Sequence, residues 1–128
     1  MIERAYIIDD DEISVFLTSA QLESAAFARH VECYQFAQLA LEKLRHIPDS
    51  QLPEIIFLDL NMPGLSGWDF LDSLTEQEDR YFGKCNIYVL TSSVDVQEKE
   101  LARSYRLVNG FLRKPLEETE ITKIKASV

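Results

Sequence analysis

Apolar positions are arranged along the chain in two ways. Short continuous apolar runs, which are typical of buried strands, alternate with stretches in which apolar residues recur every three or four positions, as in helices with one buried face. The short runs predict five strands, at residues 5–8, 31–34, 55–58, 86–90 and 111–113. A helix is predicted after each strand. This alternation predicts an α/β fold built on one doubly wound parallel sheet.

The helical spacing also predicts which residues face the core. In chain order, the residues expected on the buried faces of the five helices are Ile13, Phe16, Leu17, Ala20, Ala37, Ala40, Leu41, Leu44, Phe70, Leu71, Leu74, Leu101, Ala102, Tyr105, Ile121 and Ile124. Pro48 is expected to end the second helix. The polar segment 75–80 is predicted to lie at the surface, and Asn109-Gly110 to turn the chain into the fifth strand.

The stretch PEIIFLDLNMPGLSG at 53–67 joins the most apolar strand to a loop. A strand that is apolar on both faces suits a parallel sheet covered by helices on both sides. The Pro and Gly residues that follow it force the loop. Asp59 is therefore expected where this strand opens at the carboxyl edge of the sheet, which is where such sheets bind ligands. Taken alone, Asp59 could equally well cap a turn.

Other strands end on polar residues as well. Asp9 and Asp10 follow the first strand, Thr91 follows the fourth and Lys114 follows the fifth. Right-handed crossovers place all these strand ends on the edge that carries Asp59. Three neighbouring carboxylates need a counter-charge, and Mg²⁺ prefers oxygen ligands of this kind. With a lysine and a hydroxyl nearby, the set predicts a site at which a carboxylate accepts a phosphoryl group.

Four motifs carry a resemblance to a known family: IIDDD at 7–11, IIFLDLNMPGLSG at 55–67, VLTSS at 89–93 and GFLRKP at 110–115. The chain resembles the receiver domains of two-component response regulators over essentially its whole length, including the stand-alone chemotaxis regulators among them. The resemblance implies a flavodoxin-like sheet with the strand order 2-1-3-4-5. It also implies that residues 1–128 form a single receiver domain.

The resemblance further implies the role of each site residue. Asp59 would be the phosphoacceptor. The metal ligands would be Asp10, Asp59, the backbone carbonyl of Asn61 and Asp9, the last mainly through a bridging water. The residues that bind the phosphoryl group or switch with it would be Thr91, Ser92, Lys114 and Phe111, with Phe111 standing where many members have Tyr. The Lys114–Pro115 peptide bond would be cis.

Charge and composition exclude several classes of protein. The chain has 22 acidic and 13 basic residues, for a net charge of −9, and this argues against nucleic-acid binding, which needs clustered Lys and Arg. No apolar run is long enough to span a membrane, and no signal peptide is recognisable. Cys33 and Cys85 lack metal-ligand spacing, and the implied strand order separates them by two strands, so no disulfide is expected. We predict a cytoplasmic protein.

The predicted function is that of a switch, acting as a stand-alone regulator or a phosphorelay intermediate, rather than of an enzyme acting on external substrates. A histidine kinase or a histidine phosphotransfer protein would supply the phosphoryl group. The output face would comprise the predicted fourth helix, fifth strand and fifth helix, within residues 96–125. It would bind a separate protein or, in a phosphorylation-dependent homodimer, a second copy of the chain.

Three alternatives remain open at this stage. The chain can be a receiver excised from a longer response regulator or hybrid kinase. A haloacid-dehalogenase-type phosphatase also forms a phosphoaspartate, but it needs an acid at the position occupied by Asn61. A flavodoxin-like redox carrier would want a phosphate cradle rich in Ser and Thr after the first strand, where this chain has acids.

Overall fold

A five-stranded parallel sheet forms the centre of the computed structural model, which describes residues 2–128. The strands are β1 (Ile2–Ile8), β2 (Ala28–Tyr34), β3 (Ile55–Leu58), β4 (Asn86–Thr91) and β5 (Val108–Arg113). Their order in the sheet is β2-β1-β3-β4-β5, and every neighbouring pair is parallel. The predicted doubly wound α/β fold and its strand order are therefore confirmed.

Helices cover both faces of the sheet. They are α1 (Glu12–Ser24), α2 (Ala37–His46), α3 (Gly67–Thr75), α4 (Glu78–Tyr81), α5 (Val96–Arg103) and α6 (Glu118–Ala126), with a 3-10 turn at Asp49–Gln51. One core cluster combines sheet residues with buried residues of α2, α3, α4 and α5. The other core cluster combines the opposite face of the sheet with α1 and α6. None of the helices within residues 2–128 is long and apolar enough to cross a membrane.

The prediction of five helices was wrong by one, because the structure has six between residues 2 and 128. The additional helix, α4, lies where a polar surface segment was predicted. Arg80 anchors it: the guanidinium donates to the carbonyl oxygens of Leu44 and Ile47, both at 2.7 Å, and to Asp49 Oδ1 at 2.8 Å. Tyr81, the next residue, is buried in the core. These tertiary contacts stabilise a helix that local sequence alone does not predict.

The predicted buried face of α1 was also wrong. Ile13 and Phe16 are 72% and 71% exposed, and Leu17 is exposed as well. The residues that face the sheet are instead Thr18 and Leu22, which are buried, with Val15 and Ala25 packed beside them. Both stripes have helical spacing. Because Thr18 is polar, the buried stripe is not recognisable from the apolar residues of the sequence alone.

Two further details, one in α5 and one in β5, differ from the predictions. Leu101 is exposed, and Tyr105 lies beyond the end of α5, so that Ala102 alone gives the helix a buried residue. Asn109 and Gly110 lie within β5 rather than in a turn before it. Gly110 pairs with Tyr88, and a Cβ at Gly110 would come within 2.8 Å of the Tyr88 ring. Glycine at position 110 therefore leaves room for the Tyr88 ring on the neighbouring strand.

Candidate phosphoacceptor site

The two buried carboxylates of the site stand one residue beyond neighbouring strands. The Asp9 N–H donates to the Tyr34 carbonyl at 3.0 Å, and the Asp59 N–H donates to the Ile8 carbonyl at 2.9 Å. These bonds continue the β2–β1 and β1–β3 ladders past the last strand residues and fix both backbones at the carboxyl edge. One carboxylate oxygen from each of Asp9, Asp10 and Asp59 lies within 4.8 Å of the others. The structure thus brings the three predicted acids together.

The loop after Asp59 returns close to its own start. The Gly67 N–H, at the beginning of α3, donates to the Leu60 carbonyl at 3.0 Å. A Cβ at position 67 would overlap the Asp59 carbonyl oxygen and lie 2.7 Å from the Leu60 Cα. A capping box between Ser66 and Asp69 fixes the start of the helix. Only glycine permits this approach, a requirement that the sequence analysis did not assign to Gly67.

Lys114 is the cation of the site. Its Nζ lies 2.7 Å from Asp9 Oδ2 and 3.5 Å from Asp59 Oδ2, and its side chain is 17% exposed. The Lys114 N–H donates to the Thr91 carbonyl at 2.8 Å, which continues the pairing of β4 with β5. Burial lowers the pKa of Lys114, but the hydrogen bond to Asp9 and the charges of Asp59 and Asp9 together raise it above its ordinary value. The ammonium group therefore stays protonated at neutral pH.

The negative charge of Asp59 is less well compensated by Lys114 than that of Asp9. Burial raises its pKa to about 6, the Lys114 charge opposes this shift, and the Asp9 charge adds to it. The hydrogen bonds that its side chain accepts are long, at 3.4 Å from the Asn61 N–H and 3.5 Å from the Lys114 ammonium. A single lysine thus faces two buried carboxylates and the half-buried Asp10. This imbalance favours binding of a further cation.

The donor set fits a hard divalent cation. Mg²⁺ takes oxygen ligands and retains several waters, so that a few carboxylates at one solvent-facing edge suffice. Asp9, Asp10 and Asp59 offer such oxygens within 4.8 Å of one another. Asn61 lies in the loop that follows Asp59 and is exposed. The residues present therefore fit the predicted metal.

The remaining predicted site residues lie on β4, on β5 or in the loop after β4. Thr91 is buried at the end of β4, and its Oγ1 accepts the Ser93 N–H at 3.1 Å. Within residues 2–128 no hydrogen bond joins Thr91 to Asp59. Ser92 is exposed, and Phe111 is half-buried on β5 against the core cluster of α2, α3 and α5. The Lys114–Pro115 peptide bond is cis.

Ser93 and Ser14 make side-chain contacts near the site that the sequence analysis missed. The Ser93 hydroxyl donates to Glu98 Oε2 at 2.9 Å and accepts the Asp95 N–H at 3.1 Å, which ties the loop after Thr91 to α5. The Ser14 hydroxyl donates to Asp9 Oδ2 at 2.7 Å. The sequence signal for the second contact is a serine that shortly follows the run of acids. A side chain in the first turn of a helix can reach back to the end of the preceding strand.

Comparison with known proteins agrees with this geometry. Residues 5–125 match the model of the response regulator receiver domain family. The chain is 26% identical over 118 residues to the two-component response regulator ARR21 of Arabidopsis thaliana, a match that covers 92% of this chain and 18% of that protein. The chain therefore spans a small part of the length of this relative.

Solved structures show the same fold. A two-component response regulator from Cytophaga hutchinsonii has a TM-score of 0.88 and 26% identity, covering 98% of this chain and 96% of that chain. The chemotaxis protein CheY4 of Vibrio cholerae has a TM-score of 0.78 and 23% identity, covering 100% and 99%. The family match extends over nearly the whole sequence and agrees with the resemblance in the four motifs. The chain belongs to the response regulator receiver domains of two-component signalling.

Proposed function

We propose that Asp59 accepts a phosphoryl group and that residues 1–128 act as one phosphorylation-dependent switch. The observation that carries the proposal is the position of Lys114 between Asp9 and Asp59, beside a third carboxylate. A phosphoryl-transfer site needs an attacking oxygen and positive charge around the transferring oxygens. Asp59 supplies the first, and Lys114 supplies part of the second.

The transfer forms one bond and breaks one. An oxygen of the Asp59 carboxylate attacks the phosphorus atom of a phosphohistidine on a histidine kinase or a phosphotransfer protein. The P–O bond to Asp59 forms as the P–N bond breaks, and the released histidine nitrogen takes a proton from solvent. No general base is required, because the attacking group is a carboxylate and not a hydroxyl.

Asp9, Asp10, Asp59 and the Asn61 carbonyl would hold Mg²⁺ beside the acceptor. When bound, the ion supplies positive charge that stabilises the transferring phosphoryl oxygens. Lys114 contributes a second positive charge from the β5 side of the site. Its Nζ lies 3.5 Å from Asp59 Oδ2, so a small movement away from Asp9 brings it to the phosphoryl group.

We propose a signalling role rather than turnover of external phosphate esters. A haloacid-dehalogenase-type phosphatase places an acid two residues after its nucleophile. Asn61 occupies that position here, and its amide has no acidic proton to give a leaving group. The matched relative is much longer than this chain, so operation as a separate protein and operation within a longer regulator are both compatible with the proposed switch.

The output of the switch would lie on α5, β5 and α6. Thr91 precedes the loop that leads to α5, and Ser93 ties this loop to Glu98 on the helix. A phosphoryl group on Asp59 would add acceptor oxygens for the Thr91 hydroxyl, and movement of Thr91 toward them would draw the loop with it. Phe111 would then turn into the space that Thr91 leaves. The altered face would bind a downstream protein or a second copy of the chain.

Phosphorylation with a small acyl-phosphate donor and Mg²⁺ tests the proposal. Mass spectrometry should find one labile phosphate, lost in acid and in base as an acyl phosphate is, on the parent protein and none on Asp59→Asn. Asp79→Asn, a change to an exposed carboxylate outside the acidic cluster, should label like the parent. Labelling of Asp59→Asn at the parent level would contradict the assignment of the acceptor.

A further inference from the structure

Asp9 is held by more hydrogen bonds than the other carboxylates of the site. Its Oδ1 accepts the Asp11 N–H at 3.0 Å, and its Oδ2 accepts both the Ser14 hydroxyl and the Lys114 ammonium at 2.7 Å. The bonds to Asp59 within residues 2–128 are longer, at 3.4 and 3.5 Å. We propose that Ser14 is a positioning residue that holds the Asp9 carboxylate in the orientation required for metal binding.

The first turn of α1 fixes the Ser14 hydroxyl. Asp11 is the N-cap of the helix, and its Oδ1 accepts the N–H groups of Ile13 at 3.0 Å and Ser14 at 3.4 Å. Ser14 is thus bonded to the strand–helix turn through its backbone and through its side chain. The capped turn fixes the Ser14 backbone within reach of Asp9, so the bond from the Ser14 hydroxyl to Asp9 is already formed before an ion binds.

A count of acceptor positions shows that Ser14 and a metal do not compete. A carboxylate offers about four lone-pair positions. The three donors on Asp9 leave one of these, and a second becomes available if Lys114 moves away. The Ser14 bond therefore remains compatible with an ion, or an ion-bound water, on the same carboxylate.

The Ser14 hydrogen bond should contribute most to the orientation of the Asp9 carboxylate when Asp59 is phosphorylated. This inference rests on the proposed function. A phosphoryl group on Asp59 attracts Lys114, which now lies closer to Asp9 than to Asp59. Asp9 then loses its charged partner, and of its two side-chain donors only the Ser14 hydroxyl remains. Donors that orient a metal-binding carboxylate in this way affect metal affinity strongly.

Titration with Mg²⁺ in the absence of any phosphoryl donor tests the inference. Trp68, the second residue of α3, reports binding by fluorescence, and backbone amide shifts provide an independent readout. Ser14→Ala should bind Mg²⁺ roughly tenfold more weakly than the parent. Ser24→Ala changes an exposed serine at the end of the same helix and should bind within twofold of the parent.

A second pair of variants separates the hydroxyl from effects on folding. Ser14→Thr and Ser14→Val have nearly the same shape but differ in the hydroxyl, and both are compared by thermal unfolding in EDTA. Ser14→Thr should retain Mg²⁺ affinity within about threefold, whereas Ser14→Val should lose as much as Ser14→Ala. Equal affinity of the Thr and Val variants would overturn the inference, as would parental affinity in Ser14→Ala.

Phosphorylation kinetics give a third readout. The Mg²⁺ concentration for half-maximal labelling should rise roughly tenfold in Ser14→Ala, while the rate at saturating Mg²⁺ stays within twofold of the parent. An unchanged half-maximal concentration would refute the positioning role alone and leave the phosphoacceptor assignment intact. Failure of the parent itself to bind Mg²⁺ would refute the proposed function and the role of Ser14 with it.

Discussion

Lys114 is bonded more closely to Asp9 than to Asp59, the proposed phosphoacceptor. The distances from its Nζ to the two carboxylates are 2.7 and 3.5 Å. The lysine consequently leaves part of the negative charge on Asp59 uncompensated. Burial raises the pKa of Asp59 to about 6, and the charge of Lys114 opposes this shift only in part.

We predict that Asp59→Asn stabilises the metal-free protein at neutral pH. The raised pKa means that the folded state holds a proton between about pH 4 and 6 that the unfolded state has already released. The contribution of Asp59 to stability is therefore present below pH 4 and is lost as the pH rises through 6. At pH 7 the variant should be more stable by about 1–3 kcal/mol, and near pH 4 by much less.

Urea unfolding of the parent and the variant in EDTA, across this pH range, measures the difference. Asp79→Asn, which neutralises an exposed carboxylate, is the matched control and should shift stability by about 0.5 kcal/mol at most. If the free energies of unfolding of Asp59→Asn and the parent differ by the same amount at pH 4 and at pH 7, ionisation of Asp59 is not the cause of the difference.

Loss of Asp10 should weaken Mg²⁺ binding. Asp10 supplies one of three carboxylates within 4.8 Å of one another, and its replacement by Asn removes a negative charge without a large change in shape. We expect affinity to fall by about tenfold or more in a fluorescence titration of Trp68. Asp11→Asn, which keeps a side-chain oxygen at the N-cap of α1, should bind within about threefold of the parent. Equal affinities for Asp10→Asn and Asp11→Asn would argue against Asp10 as a ligand.

Arg80→Ala should destabilise the fold although Arg80 is far from the site in the sequence. The guanidinium bonds two carbonyl oxygens near the end of α2 and one carboxylate oxygen of Asp49, and its side chain is 20% exposed. Hydrogen bonds that involve a charged group contribute about 1.5–3 kcal/mol, so a total loss of roughly 2–4 kcal/mol is expected. Chemical denaturation measures this loss.

Lys84→Ala is the control for this variant. Lys84 approaches the same Asp49 carboxylate at 3.9 Å with a side chain that is 53% exposed, so its loss should cost about 0.5 kcal/mol or less. Comparable destabilisation by the two substitutions would mean that the carbonyl bonds of Arg80 contribute little.

Gly67→Ala should be destabilising, the opposite of what alanine normally does in a helix. A Gly-to-Ala change within a helix stabilises by about 1 kcal/mol when space is available. Here the new Cβ would overlap the Asp59 carbonyl and force backbone atoms apart. We expect a net loss of about 1–3 kcal/mol and weaker Mg²⁺ binding, measured by unfolding and titration. A gain in stability would show that the close approach is absent in solution.

Phosphorylation should alter amide shifts well beyond the acidic site. A phosphoryl mimic such as beryllium fluoride, bound with Mg²⁺, is expected to shift amides of the loop after Thr91 and of residues 96–125. A mimic changes the populations of two states only as far as it binds one of them better, so partial shifts are compatible with the proposal. Asp59→Asn, treated identically, is the control. Shifts confined to residues near Asp9 and Asp59 would exclude the proposed output face.

The fold and the gathering of four polar residues at one edge of the sheet were predictable, because four of the five strand ends were marked in the sequence. The short apolar runs that end on Asp9, Asp59, Thr91 and Lys114 predicted both the sheet and the edge on which these residues lie. The α1 face was not predictable, because its apolar residues form two stripes and a buried threonine belongs to the correct one. Contacts between segments that are distant in the chain, such as that of Arg80 with α2, could not be predicted, because they produce no pattern in the local sequence.

The close approach of Gly67 to the Asp59 carbonyl makes one half of the site rigid. The backbone on that side is bonded to the neighbouring strand and leaves no room for a Cβ at position 67, so we expect it to move little when charge is added to the acceptor. On the other side, the side-chain oxygens of Thr91, Ser93 and Asp95 hold the loop after Thr91. Mechanical strain from phosphorylation should therefore relax toward β4 and β5. If Asp59 is phosphorylated as we propose, the close contact at Gly67 would direct the structural change toward this side of the sheet.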